Sequence, residues 1–191
     1  MKGQAASTVD KLGPFLSDIR TLRARARKHV EDGAVTPSYG AHRATVLKLL
    51  NEALATEIVC VLRYRRHYFM ADGAVGQAIK GEFLKHAQEE QAHADLIAER
   101  IVQLGGEPNF NPEGLAGRSH SEYVEGETLA SMIEEDLVAE RVAIESYTEM
   151  ITYLAGVDST SRRMLEGILA NEEEHAEELA SMLKSVKGNA K

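Results

Sequence analysis

Four long stretches of the chain repeat apolar residues at the three-then-four spacing of an α-helix. The first spans about residues 41–70, with the stripe Val46, Leu50, Leu54, Glu57, Val61, Tyr64 and Tyr68, and Asp72-Gly73 closes it. The second spans about 76–104, with the stripe Ile79, Phe83, His86, Glu90, His93, Ile97, Ile101 and Leu104. Gly105-Gly106, with Pro108 just beyond, is a strong stop. The third begins near Glu127-Thr128 and ends near Ala155-Gly156, with the stripe Leu129, Ile133, Asp136, Glu140, Ile144, Tyr147, Ile151 and Leu154. The fourth takes Asp158 or Ser159 as N-cap and runs to about Val186, with the stripe Leu165, Ile168, Glu172, His175, Leu179, Met182 and Val186. Lys184 and Lys187 suit the negative end of its dipole.

The polar connection at 105–127 is the longest in the chain. It predicts a crossover from one end of a bundle to the other, with a short helix around Ser121–Val124. In front, Gly13-Pro14 can start a helix through Phe15 to Glu31, broken by Gly33 and Pro37. Its apolar side, Phe15, Leu16, Ile19 and Leu22, needs a surface to bury against. The expected fold class is all-α: a helical leader at 1–40 and a four-helix bundle at 41–188, with the long crossover between helices two and three.

Composition narrows the function. At 191 residues the chain suits one domain with a sizeable core. A net charge of −8 gives no bulk attraction to nucleic acid or anionic membranes. The leader is locally basic at Arg20, Arg23, Arg25, Arg27 and Lys28. We read it as a solvated helix face, with a DNA-binding arm as the alternative that salt-sensitive gel retardation would reveal. The single cysteine, Cys60, excludes a disulfide framework and any four-cysteine metal knuckle, and it suits a reducing compartment as a small core residue. Met1–Asp10 has no apolar secretory core, and the longest plain apolar run, Ile58–Leu62, is too short to span a membrane. The expected location is cytoplasmic.

The polar residues inside the apolar stripes carry the chemistry. Glu90-Gln91-Ala92-His93 and Glu172-Glu173-Glu174-His175 each place a Glu and a His one helical turn apart, where both reach one metal ion. About one such pair arises by chance in a chain this rich in Glu. Here each copy also has a stripe Glu upstream, Glu57 and Glu140, so the chain holds two half-sites of identical composition. Four ionised carboxylates facing one core would repel, and each is costly to bury unpaired. Two divalent cations cancel the charge, and two neutral imidazoles complete the sites. Such donors suit iron or manganese, with zinc as a substitute. Tyr64 and Tyr147, two turns past Glu57 and Glu140, are candidates to hydrogen-bond the ligand carboxylates, and Asp136 to orient a ligating imidazole. His86 reads as a satisfied core histidine or an accessory metal ligand, the first being favoured. Glu89, Glu173, Glu174, Glu177 and Glu178 read as a solvated face.

These motifs resemble those of the bacterioferritins in the ferritin-like superfamily. Leu54-Ala-Thr-Glu-Ile, Glu90-Gln-Ala-His-Ala-Asp with Gly105-Gly-Glu-Pro-Asn, Asp136-Leu-Val-Ala-Glu140 and Asn171-Glu-Glu-Glu-His175 are similar to the four ligand segments of that family. The resemblance covers about residues 43–186. It implies a ferroxidase with two irons per subunit, Glu57 and Glu140 terminal, Glu90 and Glu172 bridging, His93 and His175 capping. It further implies Fe(II) oxidation by O2 or H2O2, storage of Fe(III) mineral in a homo-oligomeric shell, and protection against oxidative stress. A di-iron or di-manganese peroxidase or catalase without storage is the alternative on the same bundle. The chain departs from the family at Gln91, where bacterioferritins place a haem-ligating Met, so no haem is expected. It also shows little after Val186 for a fifth helix, and residues 1–40 have no counterpart. Those two features are similar to the dodecameric shells of DNA-protecting ferritin-like proteins, so a dodecamer is expected rather than a 24-mer.

Overall fold

The computed structural model describes residues 17–188. The chain divides into two compact units, Met1–Tyr39 and Gly40–Lys191. In the first, α1 (Ile19–Ala26) is capped by Asp18, whose carboxylate accepts from the backbone N–H of Arg20 and Thr21 at 3.0 and 3.2 Å. The helix is shorter than the expected 15–31. It buries no residue, and an eight-residue helix without a buried face has little to sustain it. His29 then takes a left-handed conformation (φ 51°) before a 3-10 turn at Val30–Asp32. Ile19 and Leu22 are exposed, and Phe15 and Leu16 lie outside the described residues.

The second unit is a bundle of four long helices: α2 (Arg43–Met70), α3 (Gly73–Gln103), α5 (Leu129–Leu154) and α6 (Ser159–Gly188). A short α4 (Leu115–Arg118) sits in the crossover. Every stripe residue named above is buried or half-buried. Among the described residues no helix is long and apolar enough to cross a membrane.

Two boundaries differ from expectation. α3 starts at Gly73, not near Gly76. Gly76 is a packing glycine, since a Cβ there would stand 3.0 Å from the carbonyl carbon of Ala71. The crossover helix is Leu115–Arg118 rather than Ser121–Val124. Asn109 and Asn111 form successive Asx turns, accepting from the N–H of Asn111 and Glu113 at 3.1 and 3.0 Å. Arg118 then closes the loop on the carbonyls of Glu113 and Asn111 at 2.9 and 2.7 Å.

The crossover is fastened along the whole of α2. Asn51 accepts from Asn109 N–H at 2.7 Å, and Thr56 accepts from His120 N–H at 2.9 Å. Arg63 donates to Glu122 O at 2.8 Å, and His67 Nε2 lies 2.9 Å from Glu125 O. The strap therefore runs parallel to α2, which lays α5 antiparallel to it and gives an up-down-down-up bundle. At the other end Arg100 on α3 grips Asp158 at 3.0 Å and Ser161 at 2.8 Å, which fixes the start of α6.

Asp136 belongs to this scaffold, which corrects its expected role beside a ligating imidazole. Its Oδ1 accepts from Arg63 Nε and its Oδ2 pairs with His67 Nδ1, both at 2.8 Å. The reason is register: on antiparallel helices Asp136 lies level with residues 63–67, one level away from the metal-ligand candidates. Asp136 and Arg63 are both fully buried. Asp136→Ala would strand the guanidinium, and a loss of about 3–5 kcal/mol in urea unfolding is expected. A loss under about 1 kcal/mol would show the pair to be dispensable.

Candidate metal centre

The six ligand candidates converge at the middle of the bundle. Glu57 comes from α2, Glu90 and His93 from α3, Glu140 from α5, Glu172 and His175 from α6, and all six are buried. They form two sets of donors, Glu57–Glu90–His93–Glu172 and Glu90–Glu140–Glu172–His175, each with its donor atoms within 4.8 Å of one another. Glu90 and Glu172 belong to both. His93 Nδ1 lies 3.0 Å from Glu172, 3.4 Å from Glu57 and 3.7 Å from Glu90. His175 Nδ1 lies 3.4 Å from Glu90, 3.5 Å from Glu172 and 3.8 Å from Glu140.

Around this cluster the expected tyrosines are present, but they cross the bundle. Tyr64 on α2 donates its hydroxyl to Glu140 on α5, and Tyr147 on α5 donates to Glu57 on α2. Each half-site carboxylate is thus held by the tyrosine of the other half.

Sequence reasoning missed Glu89 and Glu178. Glu89 is half-buried, and its Oε2 pairs with His175 Nε2 at 2.9 Å. That bond fixes the ring so that Nδ1 faces the cluster. The signal was available in principle, since a ligating imidazole needs a partner for its second nitrogen. Glu178 pairs with His86 Nε2 at 2.8 Å and with Lys85 at 3.2 Å. Glu173, Glu174 and Glu177 are exposed, as expected. Cys60 is buried in the core with Tyr64, Phe83, Ile133 and Leu179, and burial pushes its thiol pKa well up.

The electrostatics describe a site crowded with buried carboxylates. Burial, then the neighbouring Glu90 charge, raises the Glu57 carboxyl. Burial and Glu172 raise Glu90. Burial and Glu57 push Glu172 up to about 8. Glu140 goes the other way: burial opposes ionisation, but the nearby His175 and Glu172, with the hydrogen bond from Tyr64, outweigh it and bring the group down to about 2. Burial also opposes charging of His93, yet Glu172, Glu57 and Glu90 lift it to about 12, and His175 is raised in the same way by Glu140, Glu172 and Glu90. Without metal the cluster holds protons where cations would sit.

The donor set fits two divalent cations. Glu57 Oε2, Glu90 Oε1, both oxygens of Glu172 and the Nδ1 atoms of His93 and His175 are buried without a hydrogen-bond partner. Partnerless buried donors and acceptors are rare in a native core. Here all of them point into one volume, and the shared carboxylates lie between two imidazoles.

Residues 47–188 match the family described as the ferritin-like domain. The chain belongs to the ferritin-like family. It is 32% identical over 139 residues to the bacterioferritin of Mycobacterium leprae, covering 72% of this chain and 83% of that one. A nutrient stress-induced DNA-binding protein of a Synechococcus strain is 31% identical over 137 residues, covering 70% and 78%. Among solved structures, the bacterioferritin-related protein of Bacteroides fragilis, described as a dodecameric thioferritin, superposes with a TM-score of 0.75 at 30% identity, covering 79% of this chain and 91% of that one. Within this ferritin-like bundle Gln91 faces outward and donates to Asp95 at 3.0 Å.

Proposed function

We propose that this ferritin-like protein is a cytoplasmic ferroxidase that oxidises Fe(II) with O2 or H2O2 and stores the product as Fe(III) mineral in a homo-oligomeric shell, so limiting oxidative damage. The observation that carries the reading is the pair of buried donor sets sharing Glu90 and Glu172. Glu57 and His93 would hold one iron, Glu140 and His175 the other, and Glu90 and Glu172 both. Two Fe(II) ions so held would be able to give two electrons together to one oxidant, which would avoid one-electron radicals.

The chain's own residues do the positioning. Tyr147 and Tyr64 fix the carboxylates of Glu57 and Glu140 by donating to them. Glu89 holds His175 in its ligating orientation. Leu54, Ile97 and Ile168, each one helical turn from Glu57, His93 or Glu172, are fully buried and keep the neighbourhood of the site apolar. Stopped-flow mixing of metal-free protein with Fe(II) in air tests the reading, with a fast phase expected to saturate at two Fe(II) per subunit. A protein that binds Fe(II) without oxidising it faster than buffer would refute it.

No haem is expected, because Gln91 offers no thioether where the bacterioferritin resemblance calls for one. The purified protein should show no Soret band and take up no stoichiometric haem on reconstitution. A tight haem complex would show that another residue, such as Met70, serves as ligand.

The assembly we propose is a dodecamer, the state named for the Bacteroides fragilis relative. Twelve 21.0 kDa subunits give about 252 kDa by light scattering. A mass near 504 kDa would indicate a 24-mer, and a stable dimer would count against storage.

A further inference from the structure

Adjacent residues on α2 make two different contacts with one turn of α5. Tyr64 donates its hydroxyl to Glu140, and Arg63 donates from Nε to Asp136 Oδ1 at 2.8 Å. Asp136 and Glu140 stand one turn apart on α5, so the two bonds are neighbouring rungs between the same pair of helices. Only the Tyr64 rung ends on a metal-ligand candidate. Among the described residues neither Arg63 nor Asp136 is hydrogen-bonded to one.

The Arg63 rung is the better anchored of the two. Its guanidinium is fully buried, and it also donates from Nη1 to Glu122 O on the crossover at 2.8 Å and from Nη2 to Cys60 Sγ at 3.6 Å, one turn back on α2. The second Asp136 oxygen is taken by His67 Nδ1 at 2.8 Å, and His67 Nε2 lies 2.9 Å from Glu125 O. One carboxylate thus joins two turns of α2, one of α5 and two points of the crossover, and a buried network with its members paired is rigid. Tyr64 has no such support toward α5. Phe83 and His86 of α3 pack on its ring, with centroids 6.4 and 5.2 Å away, and leave the height of the hydroxyl along α5 to be set elsewhere. Glu140 is no fixed reference either, because a ligating carboxylate must be able to turn toward a metal.

We infer that Arg63, through Asp136, is a positioning residue of the metal centre: the buried pair fixes the level of α2 on α5 at which the Tyr64 hydroxyl meets Glu140. A planar fork that meets acceptors on α5, the crossover and its own helix holds one position, which a flexible ammonium would not. The effect on metal binding rests on the iron-pair reading. The hydrogen bond that the pair controls is present without metal, so it can be followed on its own.

The double variant Arg63→Met/Asp136→Leu tests it. Exchanging both members of a buried ion pair for apolar residues of similar size often leaves stability unchanged, so a loss of function is not masked by unfolding. In anaerobic Co(II) titration of the stripped, assembled full-length protein, one of the two equivalents should bind roughly 10–100-fold more weakly, the size expected for an outer partner. Tyr64→Phe should give the same loss, and adding it to the pair variant should give no more, since both act on one bond. Asp136→Asn keeps the acceptor for Arg63 and discards the charge, so it should lower the urea midpoint yet keep near-wild-type Co(II) affinity. Should the apolar pair not assemble, Arg63→Lys takes its place, with the same loss expected. Wild-type affinity in the pair variant would overturn the proposal, as would a triple-variant loss equal to the product of the separate losses. Uptake other than two Co(II) by wild type would speak against the iron pair instead. The tyrosine Raman doublet of the metal-free protein then decides the inference: the pair variant should lose the hydrogen-bond signature that Tyr64→Phe removes, and an unchanged doublet would overturn it.

Discussion

Glu90→Ala and Glu172→Ala should each abolish two-metal binding and fast Fe(II) oxidation while the protein keeps its helical circular dichroism. These two carboxylates are the ones common to both donor sets, so either loss removes a ligand from both metals at once. The effect should exceed the roughly 10–100-fold loss of affinity expected when only an outer partner is removed. Glu89→Ala supplies that internal comparison, because Glu89 touches His175 Nε2 and not the cluster. The fold should survive, since the bundle rests on its aliphatic stripes and on the Asp136 and Arg100 networks rather than on the cluster. Removing a carboxylate from a repelling, partnerless group also relieves strain in the metal-free protein. Glu90→Gln and Glu172→Gln keep the side-chain volume and separate lost charge from a cavity. Wild-type oxidation kinetics in both alanine variants would sink the assignment.

The second large effect is a reversal of pH dependence on metal loading. A group whose pKa is higher in the folded protein than in the unfolded chain stabilises the fold at low pH, and that contribution is lost as pH rises through the folded value. In the metal-free protein Glu57, Glu90, Glu172, His93 and His175 are all raised. Glu172 loses its contribution between its ordinary 4.5 and about 8, and His93 between 6.5 and about 12. Glu140 is the exception, with a contribution present above 4.5 that fades as pH falls toward about 2. The metal-free Tm should therefore fall by roughly 5–10 °C between pH 5 and pH 9.

With Zn(II) as a redox-inert probe the trend should invert. Binding must expel the imidazolium protons of His93 and His175 and the carboxyl protons held on Glu57 and Glu172, so the affinity rises with pH. Calorimetry at pH 7 in buffers of different ionisation enthalpy should register the release of at least about three protons as two Zn(II) bind. A metal-free Tm that climbs from pH 5 to pH 9, or binding without proton release, would contradict this electrostatic picture.

The ferritin-like fold was legible in the sequence wherever the cause is local. Helical periodicity depends only on spacing along one chain, so the stripes from Val46 to Tyr68 and from Leu165 to Val186 could be read directly, as could the stop at Gly105-Gly106. There Gly105 takes the left-handed φ of 69°, and a Cβ on Gly106 would collide with the Leu47 side chain. The placing of Glu57, Glu90, His93, Glu140, Glu172 and His175 on inward faces follows from the same period. What needed the tertiary structure was every relation between helices. Tyr64 meets Glu140 and Tyr147 meets Glu57 because α2 and α5 run antiparallel, a register no single stripe encodes. Asp136 lies in the stripe that carries Glu140, yet that register hands it to Arg63 and His67. Glu89 and Glu178 look like solvated acids on their own helices and become partners of His175 and His86 only where α3 and α6 close together. Spacing along a helix determines which face a side chain takes, and the packing of one helix on another determines what it meets there.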